Sequence, residues 1–123
     1  MSPVEAGALL ARLTMTGLRS HETHNGLAWV ATLRLDGKPV LAIEQAGNGG
    51  GNRYSPVGAA DFRAARAVEA QLVEAARLLT GAKFEPLDTL TCCMVPGKTG
   101  MDAVKVAVSY STPCSGEIES EGL

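Results

Sequence analysis

The clearest pattern along the chain is an alternation of apolar and polar positions over residues 27–35, typical of a strand buried on one face. Asp36-Gly37 follows, a preferred dipeptide of type I′ hairpin turns, and residues 40–44 supply a returning strand. Pro39 has no N–H and suits the first residue of that strand. We predict a β-hairpin here, with its first strand at the centre of a sheet. The positions of the buried parity are Leu27, Trp29, Ala31, Leu33 and Leu35.

A second alternation, over residues 9–15, lies in the N-terminal region and predicts a strand over about residues 11–18. Good helix formers over residues 4–13 leave a helix there as an alternative. The polar residues 20–26 are predicted to be a connection, because such segments favour turns. With the hairpin, this gives a meander of three antiparallel strands.

The pattern changes to a helical period over residues 60–80, where apolar residues recur at threes and fours. Asp61 or Ser55 offers an N-cap, and Gly81 stands where a left-handed stop belongs. We predict one main helix that covers the apolar face of the sheet. Its apolar positions are Phe62, Ala65, Val68, Leu72, Ala76 and Leu79.

The C-terminal third predicts one more strand and a tail. Residues 82–100, which contain Pro86 and Pro96, are predicted to be irregular with some helix. Residues 104–110 alternate around three valines and predict the fourth strand. Residues 112–123, rich in Ser, Glu and Gly, predict a flexible tail.

These elements predict a single α+β domain spanning residues 1–123. Its sheet is antiparallel, has about four strands in ββ(hairpin)β-α-β order, and carries one main helix on one face. A chain of 123 residues is a common length for one domain with one core.

Composition and charge indicate which classes of partner the chain is suited to bind. The 11 Lys and Arg against 13 Asp and Glu give a formal charge of -2, and the chain has one Trp, two Tyr and two Phe. Neither the charge nor the supply of stacking groups favours direct nucleic-acid binding. The N-terminus has no basic segment before its apolar run, and no apolar run approaches about 20 residues, so we expect a cytoplasmic protein without membrane contact. Three cysteines at irregular spacing do not form a disulfide framework.

The glycine-rich segment over residues 47–52 looks like a phosphate-binding loop, because successive glycine amides can hold an anion. A G-x-G-x-x-G motif that starts at Gly47 requires glycine at position 52, where Asn52 stands. We therefore interpret the segment mainly as a surface connection that lets Tyr54 and the helix pack on the sheet. A ligand or partner surface is the alternative.

His21 and His24 flank Glu22 and could ligate a metal together with a cysteine. The spacing is H-E-x-H and not the H-E-x-x-H of helical zinc sites. We predict no metal, no cofactor and no catalytic residue, and lean against an enzyme. Buried, structural thiols are the expected state of the cysteines.

The order of motifs from Ser20-x-Glu22, through the strand at Trp29 and Asp36-Gly37-Lys38, to the glycines before Tyr54 resembles small proteins encoded by phages, prophages and other mobile elements. This chain departs from their pattern at positions 45 and 46, where Gln and Ala stand. The resemblance implies an accessory protein that binds and inhibits a host defence complex, as anti-CRISPR proteins do.

The first hypothesis is therefore a non-enzymatic binding protein whose partner is a host protein or ribonucleoprotein complex. A small-ligand or nucleotide-binding domain that uses the glycine segment is the second, and a plain homo-oligomerising module is the third. The contact residues predicted for a partner or ligand are His21, Glu22, His24, Asn25, Asn48, Gly49, Gly50, Gly51, Asn52, Arg53 and Tyr54.

Overall fold

The computed structural model describes residues 1–24, 26–47, 51–57 and 62–116, with side chains as far as Ser109. Within these residues four strands form one antiparallel sheet in the order β1-β2-β3-β4, and four helices accompany it. The predicted α+β class and the antiparallel sheet are confirmed. The elements in chain order are α1 (Pro3–Ala11), β1 (Leu13–Thr23), β2 (Gly26–Leu35), β3 (Lys38–Gln45), β4 (Arg53–Ser55), α2 (Phe62–Thr80), α3 (Pro86–Cys92) and α4 (Gly100–Gly116).

The predicted hairpin joins β2 to β3. Asp36 and Gly37 have φ angles of 54° and 81°, and two successive positive φ angles define the type I′ turn. The Arg12 Nε donates to both carboxylate oxygens of Asp36 at 3.0 Å, and the Asp36 N–H donates to the Arg12 carbonyl at 3.1 Å. The guanidinium lowers the pKa of the Asp36 carboxyl. The turn is therefore tied to the end of α1.

The N-terminal region is a helix as far as Ala11 and a strand from Leu13, so the predicted strand over about residues 11–18 is confirmed over residues 13–18, and its predicted start was two residues too early. Ser2 caps α1: its hydroxyl accepts the Glu5 N–H at 3.1 Å, and the Glu5 carboxylate accepts the Ser2 N–H at 2.8 Å. Pro3 occupies the first turn, where its missing N–H costs nothing. The helical alternative was correct as far as Ala11.

The predicted connection over residues 20–26 was also wrong, because β1 and β2 continue through it. Ser20 pairs with Trp29, and Thr23 pairs with Gly26, so only two residues join the strands. A bulge interrupts β1 between Thr16 and Arg19. The polar composition that predicted a loop belongs instead to a strand end that extends beyond the helices.

The C-terminal strand over residues 104–110 is absent from the described structure, where those residues lie in α4. Thr99 caps this helix, since its hydroxyl accepts the Asp102 N–H at 3.3 Å, and the Asp102 carboxylate accepts the Thr99 N–H at 3.0 Å. Thr99 also forms an isolated bridge with Thr14 of β1. The fourth strand is instead β4, which pairs with β3. The last seven residues of the predicted tail lie outside the described residues.

The core lies between the helices and one face of the sheet. The predicted main helix over residues 60–80 is confirmed as α2 from Phe62 onward. Helix α1 was foreseen only as the alternative for residues 4–13 and α3 only as some helix within residues 82–100, while α4 was not foreseen. Helices α1 and α4 meet closely, because a Cβ atom on Gly100 would lie 2.8 Å from the Leu10 carbonyl oxygen. The largest fully buried side chains are Leu10, Leu13, Met15, Leu33, Leu41, Ile43, Leu72 and Leu90.

Candidate functional site

A polar network connects β4, the end of the glycine segment and α3. The Tyr54 hydroxyl donates to Asp88 Oδ1 at 2.6 Å, and Asp88 Oδ2 accepts the Asn52 N–H at 3.0 Å. The Asn52 side-chain amide donates to the Thr91 hydroxyl at 3.0 Å. Thr91 is only 2% exposed. Each of these polar groups has a partner, as buried polar groups require.

Gln45 joins the two ends of the glycine segment. Its amide nitrogen donates to Asn52 Oδ1 at 2.8 Å, and its amide oxygen accepts the Gly47 N–H at 3.0 Å. A single side chain, that of Gln45, therefore holds together the residue where the segment leaves β3 and the residue where it enters β4.

Tyr54 is the residue of the network that lies in the core, and it is 8% exposed. It pairs with Ile43 on the core face of the sheet. Burial first, and then the hydrogen bond to Asp88, raises the pKa of the Tyr54 hydroxyl above its ordinary value. The hydroxyl therefore stays protonated at neutral pH and acts as a donor.

The described part of the glycine segment faces carboxylates. A Cβ atom on Gly51 would lie 2.7 Å from Glu85 Oε1 and 3.2 Å from Asp88 Oδ2. The next amide, that of Asn52, already donates to Asp88. Two negative groups and an occupied amide disfavour a phosphate at this end of the segment.

An apolar groove of about 240 Å³ lies at one end of the sheet, between β1, β2 and α3. Met15, Leu18 and Ser20 contribute from β1, and Leu27 and Trp29 from β2. The other wall is formed by the end of α3 and the turn that follows it, through Thr91, Cys92 and Met94. Thr91 thus joins the groove to the polar network.

The β1 bulge decides which side chains line this groove. Thr16 pairs with Thr32 and Arg19 pairs with Val30. Between these two pairs β1 has two residues, Gly17 and Leu18, whereas β2 has only Ala31. Gly17 adopts φ 67°, the left-handed conformation that such a bulge uses. If the ladder continued from Thr16 without the bulge, Arg19 would pair with Trp29 and face the groove in place of Ser20.

The groove is more open at the sheet end than the sequence pattern predicted. Ala31 and Leu33 are buried as expected, but Trp29 is half-buried and Leu27 is 53% exposed. Leu18 is 45% exposed. The alternation of apolar residues on this face of β2 therefore extends to Leu27 and Trp29, which the helices do not fully cover.

Cys92 lines the groove as a free thiol and is exposed, and Cys93 is half-buried, so the expected burial of these two cysteines was wrong. Burial first, and then the charge of Asp88 and the neighbouring Cys93, raises the pKa of Cys92 above its ordinary value. A raised pKa keeps the sulfur protonated at neutral pH, where the thiolate is the nucleophile. The side chain contributes an apolar wall.

The predicted contact residues fall into two neighbouring groups. His21, Glu22 and His24 are exposed on the β1–β2 hairpin, and the Thr23 hydroxyl lies 3.4 Å from the Gly47 carbonyl, so the hairpin adjoins the glycine segment. Arg53 is exposed and lies 3.8 Å from Glu44. Asn25, Asn48, Gly49 and Gly50 lie outside the described residues, while Gly51, Asn52 and Tyr54 belong to the network described above.

Sequence reasoning missed Leu18, Met94 and α3 as parts of the site. A signal for the bulge was present in Gly17, an isolated glycine in a strand pattern. The approach of α3 had no such signal, because it depends on contacts between residues distant along the chain.

Among the described residues, no group of three or more His, Cys, Asp or Glu side chains is placed to hold a metal ion. Nor does that part of the chain contain a helix long and apolar enough to cross a membrane. No family model, curated protein or solved structure matches the chain.

Proposed function

We propose that this chain is a non-enzymatic protein-binding domain that takes an apolar side chain of its partner into the groove between β1, β2 and α3. The observation that supports it is the open groove itself, with Leu18 and Leu27 exposed around the half-buried Trp29. Exposed apolar side chains gathered at a concave site are typical of contact surfaces, where an aromatic anchor supplies much of the binding energy.

The resemblance to mobile-element proteins suggests the setting of this interaction. The partner would be a host protein or ribonucleoprotein complex in the cytoplasm, and binding would block a defence function. The groove needs only shape and apolar contact for such a role. The polar network supports it by holding α3, which forms one wall, against β4.

Affinity capture with a matched pair of variants tests the proposal. Leu18→Asp places a carboxylate in the groove, and Val30→Asp places one on the opposite face of the same two strands. Both side chains are similarly exposed, at 45% and 43%, so both variants should fold. We expect tagged wild type and Val30→Asp to retain the same host complex from bacterial lysate.

Leu18→Asp should lose that complex by more than about tenfold, because desolvating a carboxylate against apolar atoms costs several kcal/mol. The same pair is then compared for relief of phage restriction in cells. Equal capture and equal relief by the two variants would exclude the groove as the contact surface. No retained complex with wild type would contradict a protein partner in that host.

Nucleotide binding has a separate test. A thermal-shift screen against nucleotides, cyclic nucleotides and metal ions should leave the melting temperature unchanged, because carboxylates flank the described end of the glycine segment. Stabilisation by one nucleotide would favour the ligand-binding hypothesis instead.

A further inference from the structure

The free edge of β1 lies directly beside the apolar groove. β1 is the first strand of the sheet, so its outer edge has no neighbouring strand among the described residues apart from the bridge between Thr14 and Thr99. The bridge covers the half near α1. The half from Arg19 to Glu22 is exposed at every residue. An uncovered strand edge presents unpaired backbone donors and acceptors.

The strand register identifies which residues present these groups. Thr23 pairs with Gly26, and the hairpin therefore closes with two connecting residues. A two-residue turn is closed by a hydrogen-bonded pair, and such pairs alternate along an antiparallel ladder with pairs that are not hydrogen-bonded. Counting from the hydrogen-bonded pair Thr23–Gly26, the pairs Glu22–Leu27 and Ser20–Trp29 are not hydrogen-bonded. The N–H and C=O groups of Ser20 and Glu22 point away from β2, toward the free edge.

Ser20 and Glu22 also face the groove side of the sheet. Ser20 pairs with Trp29, and Glu22 pairs with Leu27, so each shares the face of its groove-lining partner. A strand added to β1 would lie about 4.8 Å from it. The small side chain of Ser20 leaves a passage from this added strand to the face of Trp29.

We propose that the partner contributes an extended peptide segment that pairs with the outer edge of β1 at Ser20 and Glu22 and places alternate apolar side chains in the groove. This inference rests on the proposed function and specifies the form of the partner. Strand addition derives affinity from main-chain hydrogen bonds and specificity from pockets for every second side chain.

Charges on the edge specify the segment further. Glu22 faces the groove side and Arg19 the opposite side, and neither forms a salt bridge within the described residues. Their neighbours on the same stretch are Ser20 and His21. The segment should therefore carry a basic residue beside Glu22, on the same face as its apolar residues, and an acidic residue near Arg19 on the other face.

The test begins with selection of random ten-residue peptides by mRNA display against the folded chain, with Leu18→Asp as counter-selection. We expect enriched peptides in which apolar residues alternate. Their binding is measured by fluorescence anisotropy, and hydrogen exchange should show protection at the amides of Ser20 and Glu22 on binding.

Two variants at one position isolate the backbone contribution. Glu22→Pro removes both the charge and the outward N–H, whereas Glu22→Gln removes the charge alone. We expect Glu22→Pro to weaken binding about tenfold, since a peptide carbonyl loses its donor, and Glu22→Gln to weaken it about threefold or less. Thermal melts establish that both variants remain folded, as a proline on a free edge allows.

N-methylated peptides provide the matching test on the ligand. Methylation of the amides that face β1 should abolish binding, and methylation of the intervening amides should not. Binding that is insensitive both to Glu22→Pro and to N-methylation would overturn strand addition while leaving the groove proposal intact. No enrichment in the selection would also overturn it, and so would a dimer of the chain alone that Glu22→Pro dissociates. The proposed function is judged separately, by capture of the whole partner.

Discussion

Replacing Tyr54 by Phe tests the polar network with the smallest possible change. The ring keeps its position in the core, and only the hydroxyl is lost. That hydroxyl lies 2.6 Å from Asp88 Oδ1, with Thr91 Oγ1 at 3.4 Å and Asn52 Nδ2 at 3.5 Å. The short contact to a carboxylate is the strong one, because hydrogen bonds to charged groups are worth about 1.5–3 kcal/mol.

The expected loss is about 2 kcal/mol in the free energy of unfolding. The value falls below the upper limit because Asp88 keeps the Asn52 N–H at 3.0 Å and is not left without a donor. Urea unfolding at pH 7, followed by far-UV circular dichroism, measures it as a shift in midpoint at constant m value. In thermal melts the same loss corresponds to about 6–10 °C for a chain of this length.

A double-mutant cycle with Asp88→Ala separates this bond from other effects of the substitution. The sum of the losses in unfolding free energy for the two single variants should exceed the loss for the double variant by about 1–2 kcal/mol, because each single substitution removes the same hydrogen bond. A loss below about 0.5 kcal/mol for Tyr54→Phe, or a coupling energy near zero, would show that the network does not hold β4 to α3.

The same contacts predict a dependence on alkaline pH. The pKa of Tyr54 is raised in the folded state, so above about pH 10 an unfolded tyrosine loses a proton that the folded one retains. Stability is then fully present below pH 10 and declines as the pH rises toward the folded pKa. Tyr54→Phe should reduce the slope of this decline between pH 10 and 12, measured by urea midpoints. Equal slopes for wild type and variant would refute the assigned pKa direction.

Two further predictions concern the turns and caps. Gly17→Ala and Gly47→Ala both place alanine at positive φ, 67° and 79°, but a Cβ atom meets nothing within 4 Å at Gly17 and would lie 2.9 Å from a backbone nitrogen at Gly47. Gly17→Ala should cost about 1–2 kcal/mol in urea unfolding and Gly47→Ala clearly more, whereas equal costs would contradict the close packing. Thr99→Ala removes the α4 cap and should cost about 1 kcal/mol. Ser109→Ala, an exposed hydroxyl in the same helix, should cost nearly nothing, and equal melting temperatures for these two variants would argue against the cap.

The site was predictable only in part, for reasons that differ between its residues. His21, Glu22 and His24 are exposed beside the glycine segment, but their position at a strand end follows from the register with β2, and not from their polarity. The sequence predicted that Tyr54 packs on the sheet, and its burial confirms this, but the hydrogen bond of its hydroxyl was not predicted. Its partner Asp88 is 34 residues away, and no local pattern connects them.

The C-terminal helix shows where a local signal was overlooked. Thr99 and Asp102 stand at the spacing of a capping box before an apolar run, which indicates a helix start. The alternation of valines over residues 104–110 fits a strand equally well by itself. In the fold Val104 and Ala107 are buried and Val106 and Val108 exposed, which follows helical spacing.

What the sequence alone determined was local. The type I′ turn at Asp36-Gly37 and the helix α2 follow from residues adjacent in the chain, through backbone conformation and apolar period. The tertiary structure alone decided that α3 closes one side of the groove and that β1 is the first strand of the described sheet, with its outer edge beside that groove. Both features depend on which segments, distant along the chain, pack on the same face or edge of the sheet. The free energy that favours one arrangement comes from the packing between those segments, and no single stretch of sequence contains it.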